Sequence, residues 1–273
     1  MNEHSRIFDY IDFQLNRFPK ADMFSGKENG QWKNYSTAEV KNTINKISAG
    51  LLKLGVSGHD MTIENQDKIA LISKNRPEWL MLDMACQQIG AAICPIYPTT
   101  NVNELEFILN DATVKYVFIS GQDILDKINI VRGNIPSLID VFCFDELPQV
   151  NYWKKLITGI TDADLEKVES VKAGIQASHC ATIIYTSGTT GRPRGVMLSQ
   201  RNLASNAAAV CEVLATAVDQ TRLCVLPLSH IYARTCDLYS WVCLGSRLVL
   251  AESRETLLRD CQLARPNGLN AVP

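Results

Sequence analysis

A regular rhythm between Lys68 and Phe144 limits the fold more than any other feature. Short apolar runs, KIALIS (Lys68–Ser73), AAICPI (Ala91–Ile96), KYVFIS (Lys115–Ser120) and DVFCF (Asp140–Phe144), alternate with stretches of helical period. Continuous apolar runs of this length suit strands buried on both faces. Between them, RPEWLMLDMACQQI (Arg76–Ile89) reads as a helix capped by Asn75 and closed by Gly90. A short helix over 104–110 and another near 122–132 complete the pattern. Alternation with short connections predicts an α/β fold, with parallel strands and helices on the sheet faces.

The flanking regions are less uniform. Residues 5–18 read as an amphipathic helix stopped by Pro19, and 21–25 with 31–35 as a hairpin around KENG. Ser36 and Glu39 have capping-box spacing, opening a helix that runs to Leu54 with Gly55 as its stop. Residues 148–178 are more polar and predict a solvated helix joining two sheet regions. Asp162, Asp164, Glu166 and Glu169 lie in that exposed stretch and fit a solvated face better than a metal site. Strands follow near 181–186 and 195–198, then an Ala-rich helix near 201–217 and the strand RLCVLP. Next come the helix HIYARTCDLYSWVCL ended by Gly245, the strand RLVLA, a helix over 253–264 and the strand GLNAV. The chain thus divides into a sheet region of about 1–147, a polar connector 148–178 and a third region 179–273.

The 273 residues are 46% hydrophobic and 21% charged with a formal net charge of −2, so bulk charge points to no nucleic-acid partner. The N-terminal residues are polar and lack the layout of a secretion signal. The most apolar long window, Trp79–Tyr97, carries Asp83, Gln87 and Gln88 and is broken by Gly90 and Pro95, which argues against a membrane span. Nine cysteines, an odd number with no C-x-x-C, predict buried thiols in a reducing cytoplasm and no structural metal.

One segment stands apart. TSGTTGRPRG, Thr186–Gly195, holds three glycines, four hydroxyl side chains and two arginines between two apolar strands. Glycines let backbone N–H groups approach a ligand closely and form an anion-binding nest. Thr186, Ser187, Thr189 and Thr190 add hydroxyl donors. Arg192 and Arg194 add permanent charge that can grip phosphate oxygens in pairs of hydrogen bonds. A polyphosphate fits this set, and a surface turn of ordinary turn residues is the alternative. The nucleotide patterns G-x-x-x-x-G-K-[ST] and G-x-G-x-x-G are both absent from the segment.

YTSGTTGRPRGVMLSQRNL (Tyr185–Leu203) resembles the phosphate-binding signature of the acyl-adenylate-forming, AMP-dependent synthetases. LPLSHIYAR (Leu226–Arg234) is similar to that superfamily's segment with an active-site histidine. NRPEW (Asn75–Trp79), GAAICPIYPT (Gly90–Thr99) and, more loosely, RPNGLNAVP (Arg265–Pro273) resemble the long-chain fatty-acid–CoA ligase branch. The resemblance covers nearly all the chain, in family order. It implies a mostly parallel α/β fold representing part of the large N-terminal AMP-binding domain.

The resemblance also implies a two-step reaction. A fatty acid is activated by ATP to an acyl-adenylate with release of pyrophosphate, and coenzyme A then displaces AMP. Mg²⁺ would bridge phosphate oxygens with few protein ligands of its own. Thr186, Ser187, Gly188, Thr189, Thr190, Gly191, Arg194 and Gly195 map onto the phosphate loop, with Arg194 where the family commonly has lysine. His230 maps onto the histidine near the reacting carboxylate; a helix-start or core histidine is the alternative. The adenine- and ribose-binding segments, the late adenylating lysine and the small C-terminal domain have no counterpart here. The chain is therefore expected to represent about the first half of a ligase, to be inactive alone, and to be cytoplasmic with peripheral membrane contact. A non-catalytic nucleotide- or partner-binding module and an aryl or amino-acid adenylating enzyme loading a carrier protein remain alternatives.

Overall fold

The computed structural model describes residues 6–28, 30–186, 192–214 and 218–271. In chain order they form α1 (Asp9–Arg17), β1 (Phe24–Glu28), β2 (Gln31–Tyr35), α2 (Thr37–Lys53), β3 (Lys68–Ile72), α3 (Pro77–Gln88), β4 (Ala92–Ile96), α4 (Val102–Asp111), β5 (Val114–Ile119) and α5 (Gln122–Val131). There follow β6 (Asp140–Cys143), β7 (Asn151–Tyr152), α6 (Asp162–Gly174), β8 (Cys180–Thr186), β9 (Arg194–Ser199), α7 (Gln200–Leu214) and β10 (Thr221–Cys224). The last elements are α8 (Ile231–Ala233), α9 (Ser240–Leu244), β11 (Arg247–Leu250), α10 (Leu257–Ala264) and β12 (Gly268–Leu269). Packing divides the chain into two compact units. One takes residues 1–44, 75–81 and 200–273; the other takes 45–74 and 82–199.

The second of these units is built on a sheet of order β7-β6-β5-β3-β4-β8-β9. Every neighbouring pair is parallel except β8–β9. The central strands β3 and β4 are buried at every position, as their unbroken apolar runs require. Pro95, which has no N–H to donate, is partnered by Leu71 of β3, and the β4–β8 ladder holds only the pair Ile93 and Thr182. On one face Leu105 and Leu109 of α4 and Ile124 and Ile128 of α5 pack against Ile72, Cys94, Val117 and Val141 of the sheet. Each such side chain contributes about 1.5–3 kcal/mol on burial. Asn101 caps α4 by accepting the Glu104 N–H at 2.9 Å.

The polar stretch after β6 does more than span a gap. It adds β7 to the sheet edge and buries Trp153 and Leu156, with Val168 of α6 and Ile175 also inside. Its helix, α6, opens on a capping box. Thr161 Oγ1 accepts the Asp164 N–H, and the Asp164 carboxylate accepts the Thr161 N–H at 2.8 Å. Asp164 also takes an ion pair from Lys53 at 2.6 Å, so this carboxylate has a structural use.

The other unit carries a sheet of order β12-β10-β11-β1-β2, parallel except for the β1–β2 hairpin. That hairpin starts at Phe24, three residues later than the sequence pattern suggests. Phe24 is fully buried and meets the edge of Trp241 at a centroid distance of 5.1 Å. The predicted capping box at Ser36 and Glu39 forms: the Glu39 carboxylate accepts the Ser36 N–H at 2.7 Å, and Ser36 Oγ accepts the Glu39 N–H at 3.2 Å. The segment predicted as one helix after His230 is α8, a π-helical turn over Arg234–Tyr239, and α9, closed by Gly245 at φ 71°. The predicted α/β class with mostly parallel sheets and flanking helices is therefore the class observed. All nine cysteines are free thiols, six of them buried.

Candidate functional site

The residues that sequence reasoning singled out fall in both units, and each group has its own local cause. In the seven-stranded sheet β8 runs parallel to β4, so its last residue, Thr186, lies at the carboxyl end of the parallel strands. Ligands of open α/β sheets bind at that end. The chain returns antiparallel as β9, with Thr186 opposite Arg194 and Tyr185 opposite Gly195. Thr186, Arg192, Arg194 and Gly195 are all exposed. Thr186 and Arg194 are therefore neighbours across the β8–β9 ladder, with Arg192 two residues before Arg194. Ser187, Gly188, Thr189, Thr190 and Gly191 lie outside the described residues.

Gly195 has a packing reason as well as any ligand reason. A Cβ there would stand 2.9 Å from Ile183 Cγ2 and 3.2 Å from Tyr185 Cζ. The Tyr185 ring can pass close to that backbone only because it carries no side chain. Its hydroxyl donates to Asp111 Oδ2 at the end of α4, 2.5 Å away. Burial, and then the Asp111 carboxylate, push the phenol's pKa well up, so it stays a donor. The hairpin that flanks the turn is thus tied to α4 by a side chain that the sequence reading left in the motif without a role.

A cavity of about 460 Å³ lies elsewhere, at the amino ends of β3 and β5, lined by His59, Asp60, Glu64, Asp67 and Lys115 among others. Asp67 there is buried, takes an ion pair from Lys115 and lies 3.3 Å from His59 Nε2. A second cavity, of about 390 Å³, is lined by Asp111, Tyr185 and Gly195 among others.

His230 belongs to the unit with the five-stranded sheet. It starts α8 and is exposed. Its N–H donates to Pro227 O at 3.0 Å, closing the turn Pro227–His230. Its ring Nδ1 accepts the Tyr232 N–H at 3.1 Å. A neutral imidazole whose Nδ1 accepts must carry its proton on Nε2. The helix-start reading is therefore correct as to place, and it is compatible with a chemical role, because the cap fixes one nitrogen as acceptor and the other as donor. His179 accepts the Gln176 N–H, and His59 lies beside Asp67; His4 lies outside the described residues.

The residues around His230 were largely missed from sequence. Asn75, predicted to cap α3, instead donates from Nδ2 to Leu226 O at 2.8 Å and accepts the Leu228 N–H on Oδ1 at 2.9 Å. Trp79 is fully buried, with the Arg234 guanidinium 5.3 Å from its ring centroid and equally far from that of Tyr239. The only sequence sign of this was the NRPEW motif itself, whose residues serve the neighbourhood of His230 as much as their own helix.

Residues 11–273 match the family model described as AMP-binding enzyme. The chain belongs to the AMP-binding enzyme family. The long-chain-fatty-acid–CoA ligase ACSBG1 of Rattus norvegicus is 26% identical over 282 residues, covering 99% of this chain and 38% of that protein. The long-chain-fatty-acid–CoA ligase FadD15 of Mycobacterium bovis is 29% identical over 236 residues, covering 86% of this chain and 38% of its own length. Among solved structures, the anthranilate CoA ligase AuaEII in complex with anthranoyl-AMP superposes with a TM-score of 0.80 at 18% identity, over 97% of this chain and 49% of that one. A red-emitting luciferase from Phrixothrix hirtus gives 0.78 at 17% identity, over 96% and 49%. The fold is that of the AMP-binding enzymes, and this chain spans 38% of the length of the curated ligases it matches. No helix among the described residues is long and apolar enough to cross a membrane.

Proposed function

We propose that this AMP-binding chain belongs to a ligase that activates a long-chain fatty acid with ATP and passes it to coenzyme A. The observation that carries the reading is the hairpin: an exposed hydroxyl and two exposed arginines at the carboxyl end of a parallel sheet, in a chain whose family is AMP-binding. The acyl class follows from the curated relatives, which are fatty-acid–CoA ligases.

The first chemical step brings a carboxylate to a triphosphate, anion to anion. The protein's contribution is to neutralise and orient charge, not to form a covalent bond of its own. Thr186, Ser187, Gly188, Thr189, Thr190, Gly191, Arg194 and Gly195 are assigned to the outer phosphates of the nucleotide. There Arg194 supplies charge with a planar, two-pronged donor where a lysine would supply a point charge. His230 is assigned to the reacting carboxylate, with Nε2–H as its donor. ATP, when bound, supplies the electrophilic phosphorus. Among the described residues no group of three or more His, Cys, Asp or Glu side chains could hold a metal ion. Magnesium, if bound, would be held mainly by phosphate oxygens and water, and no step is assigned to it.

Titrating the 273-residue chain with ATP and Mg²⁺ by calorimetry tests the assignment. Thr189→Ala combined with Thr190→Ala is expected to weaken binding by about tenfold or more, the loss of roughly 1.4 kcal/mol or more of hydrogen bonding to phosphate. Unchanged affinity in a folded double variant would take the loop out of nucleotide binding.

A further inference from the structure

Asn75 and His230 are separated by 155 positions, yet the structure links them through a short series of hydrogen bonds inside one unit. The carboxamide of Asn75 spans Pro227, donating to the carbonyl before it (Leu226 O, 2.8 Å) and accepting from the amide after it (Leu228 N, 2.9 Å). Only one orientation of the amide satisfies a carbonyl on one side and an N–H on the other, so donor and acceptor are fixed by their partners. Asn75 Nδ2 also lies 3.6 Å from the buried Cys224 thiol, at the end of the strand that leads into this segment. Leu228 is fully buried, and the Pro227–His230 turn is closed by the His230 N–H. His230 O then accepts the Arg234 N–H at 3.0 Å, while His230 Nδ1 accepts that of Tyr232.

The far side of His230 is gripped by the same motif. Arg234, four residues on, is fully buried against Trp79 and Tyr239. NRPEW therefore meets the chain on both sides of the histidine, Asn75 at the backbone before it and Trp79 at the Arg234 side chain after it. Its remaining residues lock the motif. The Arg76 guanidinium pairs with the Glu78 carboxylate at 2.8 Å. The Pro77 ring lies where a Cβ on Gly26 would come within 2.9 Å of it.

We infer that Asn75 is a positioning residue for His230: by pinning Leu226–Leu228 it fixes the turn that sets the imidazole's tautomer and direction. This rests on the reading of His230 as the residue that meets the acyl carboxylate. A donor must be held in place to favour one geometry of attack, and an exposed ring on an unrestrained turn would sample both tautomers. The physical consequence is measurable in the free protein, without substrate. With the clamp intact, Nδ1 is an acceptor and Nε2 carries the proton. With the clamp gone, the Tyr232 N–H cap loosens and the proton divides between the two nitrogens.

The experiment is nitrogen NMR of the 273-residue chain labelled at histidine, above the imidazole titration. Signals are assigned among its four histidines by the loss of one set in His230→Gln. The wild-type chain is expected to give two well-separated ring signals for His230, one protonated and one not. Asn75→Ala is expected to draw them together, and Asn75→Asp, which keeps the acceptor for Leu228 N–H but loses the donor to Leu226 O, to do so in part. A folded Asn75→Ala chain with the wild-type His230 signals overturns the inference. Should Asn75→Ala fail to fold, a folded Asn75→Asp chain with unshifted signals overturns it equally. Failure of both to fold overturns it too, by making Asn75 a residue of the core. A drop in melting temperature without movement of the ring signals is the structural outcome and counts against the proposal. Failure of the functional reading is a separate result. Fatty-acid binding unchanged in His230→Ala would remove that role and leave the clamp standing.

Discussion

Asp237 shows what the interior does to a single charge. It is fully buried in the π-helical turn, with Arg222 Nη2 3.6 Å from Oδ1 and Asn270 Nδ2 donating to the same oxygen at 2.6 Å. The thiols of Cys224 and Cys236 are its other titratable neighbours. Burial, opposed by Arg222, lifts its pKa from 3.8 to about 6. Between those values the folded chain holds a proton that the unfolded chain releases. Stability from this group is therefore full below about pH 4 and is lost as pH rises through 6. At about 1.4 kcal/mol per pKa unit the effect is a few kcal/mol. Urea denaturation across pH 4–7 should show the wild-type chain losing stability relative to Asp237→Asn by that order as pH rises. Parallel curves would mean that Asp237 does not titrate in this range. Nothing in the sequence marked Asp237, because the burial that lifts its pKa, and the partners 15 and 33 residues away on β10 and just after β12 that oppose the lift, are brought together only by the fold.

At the level of elements, legibility followed burial. β3, β4 and β5 could be read almost to the residue, because strands covered on both faces tolerate little but apolar side chains. The helix start at Ser36 was readable, because caps are local chemistry, whereas the helix expected from residue 104 begins at Val102 on an unforeseen Asn101 cap. The π-helical turn was not readable: Arg234 at its start is buried against Trp79, far away in sequence, as well as against Tyr239. Asn75 was misassigned for a related reason: a residue with both a donor and an acceptor can serve a helix start or a distant backbone, and sequence does not choose between them. For the β8–β9 hairpin the two strands were plain, but the lock behind them was not. Gly195→Ala tests that lock. The added methyl would meet Ile183 and Tyr185 at 2.9 and 3.2 Å and lift the ring from its place beside Asp111. A loss of about 1–3 kcal/mol is expected on denaturation. No loss would show that the hairpin accommodates a side chain there and that the glycine answers to a ligand alone.

At the scale of the molecule the question is what these residues can accomplish together. They carry an AMP-binding fold and match 38% of the length of the fatty-acid–CoA ligases they resemble. Binding and turnover make different demands. Holding a triphosphate needs a cradle of hydroxyls, amides and cations, the role proposed above for residues 186–195. Turning it over needs a second set of groups aimed at charge that develops only in the transition state, and a site closed to water. Each oriented donor of that second set is worth about 3–4 kcal/mol, so a site lacking several of them would be slower by many orders of magnitude while still binding nucleotide. As part of the proposed function, the 273-residue chain, which matches 38% of the length of ACSBG1, is expected to bind ATP with Mg²⁺ yet to give fatty-acid-dependent ATP–pyrophosphate exchange at or near background. Exchange with radiolabelled pyrophosphate, run beside the calorimetric titration on one preparation, separates the two. Binding without exchange supports separate groups for holding the nucleotide and for turning it over. Vigorous exchange would mean that the phosphate loop and His230 need no further protein groups.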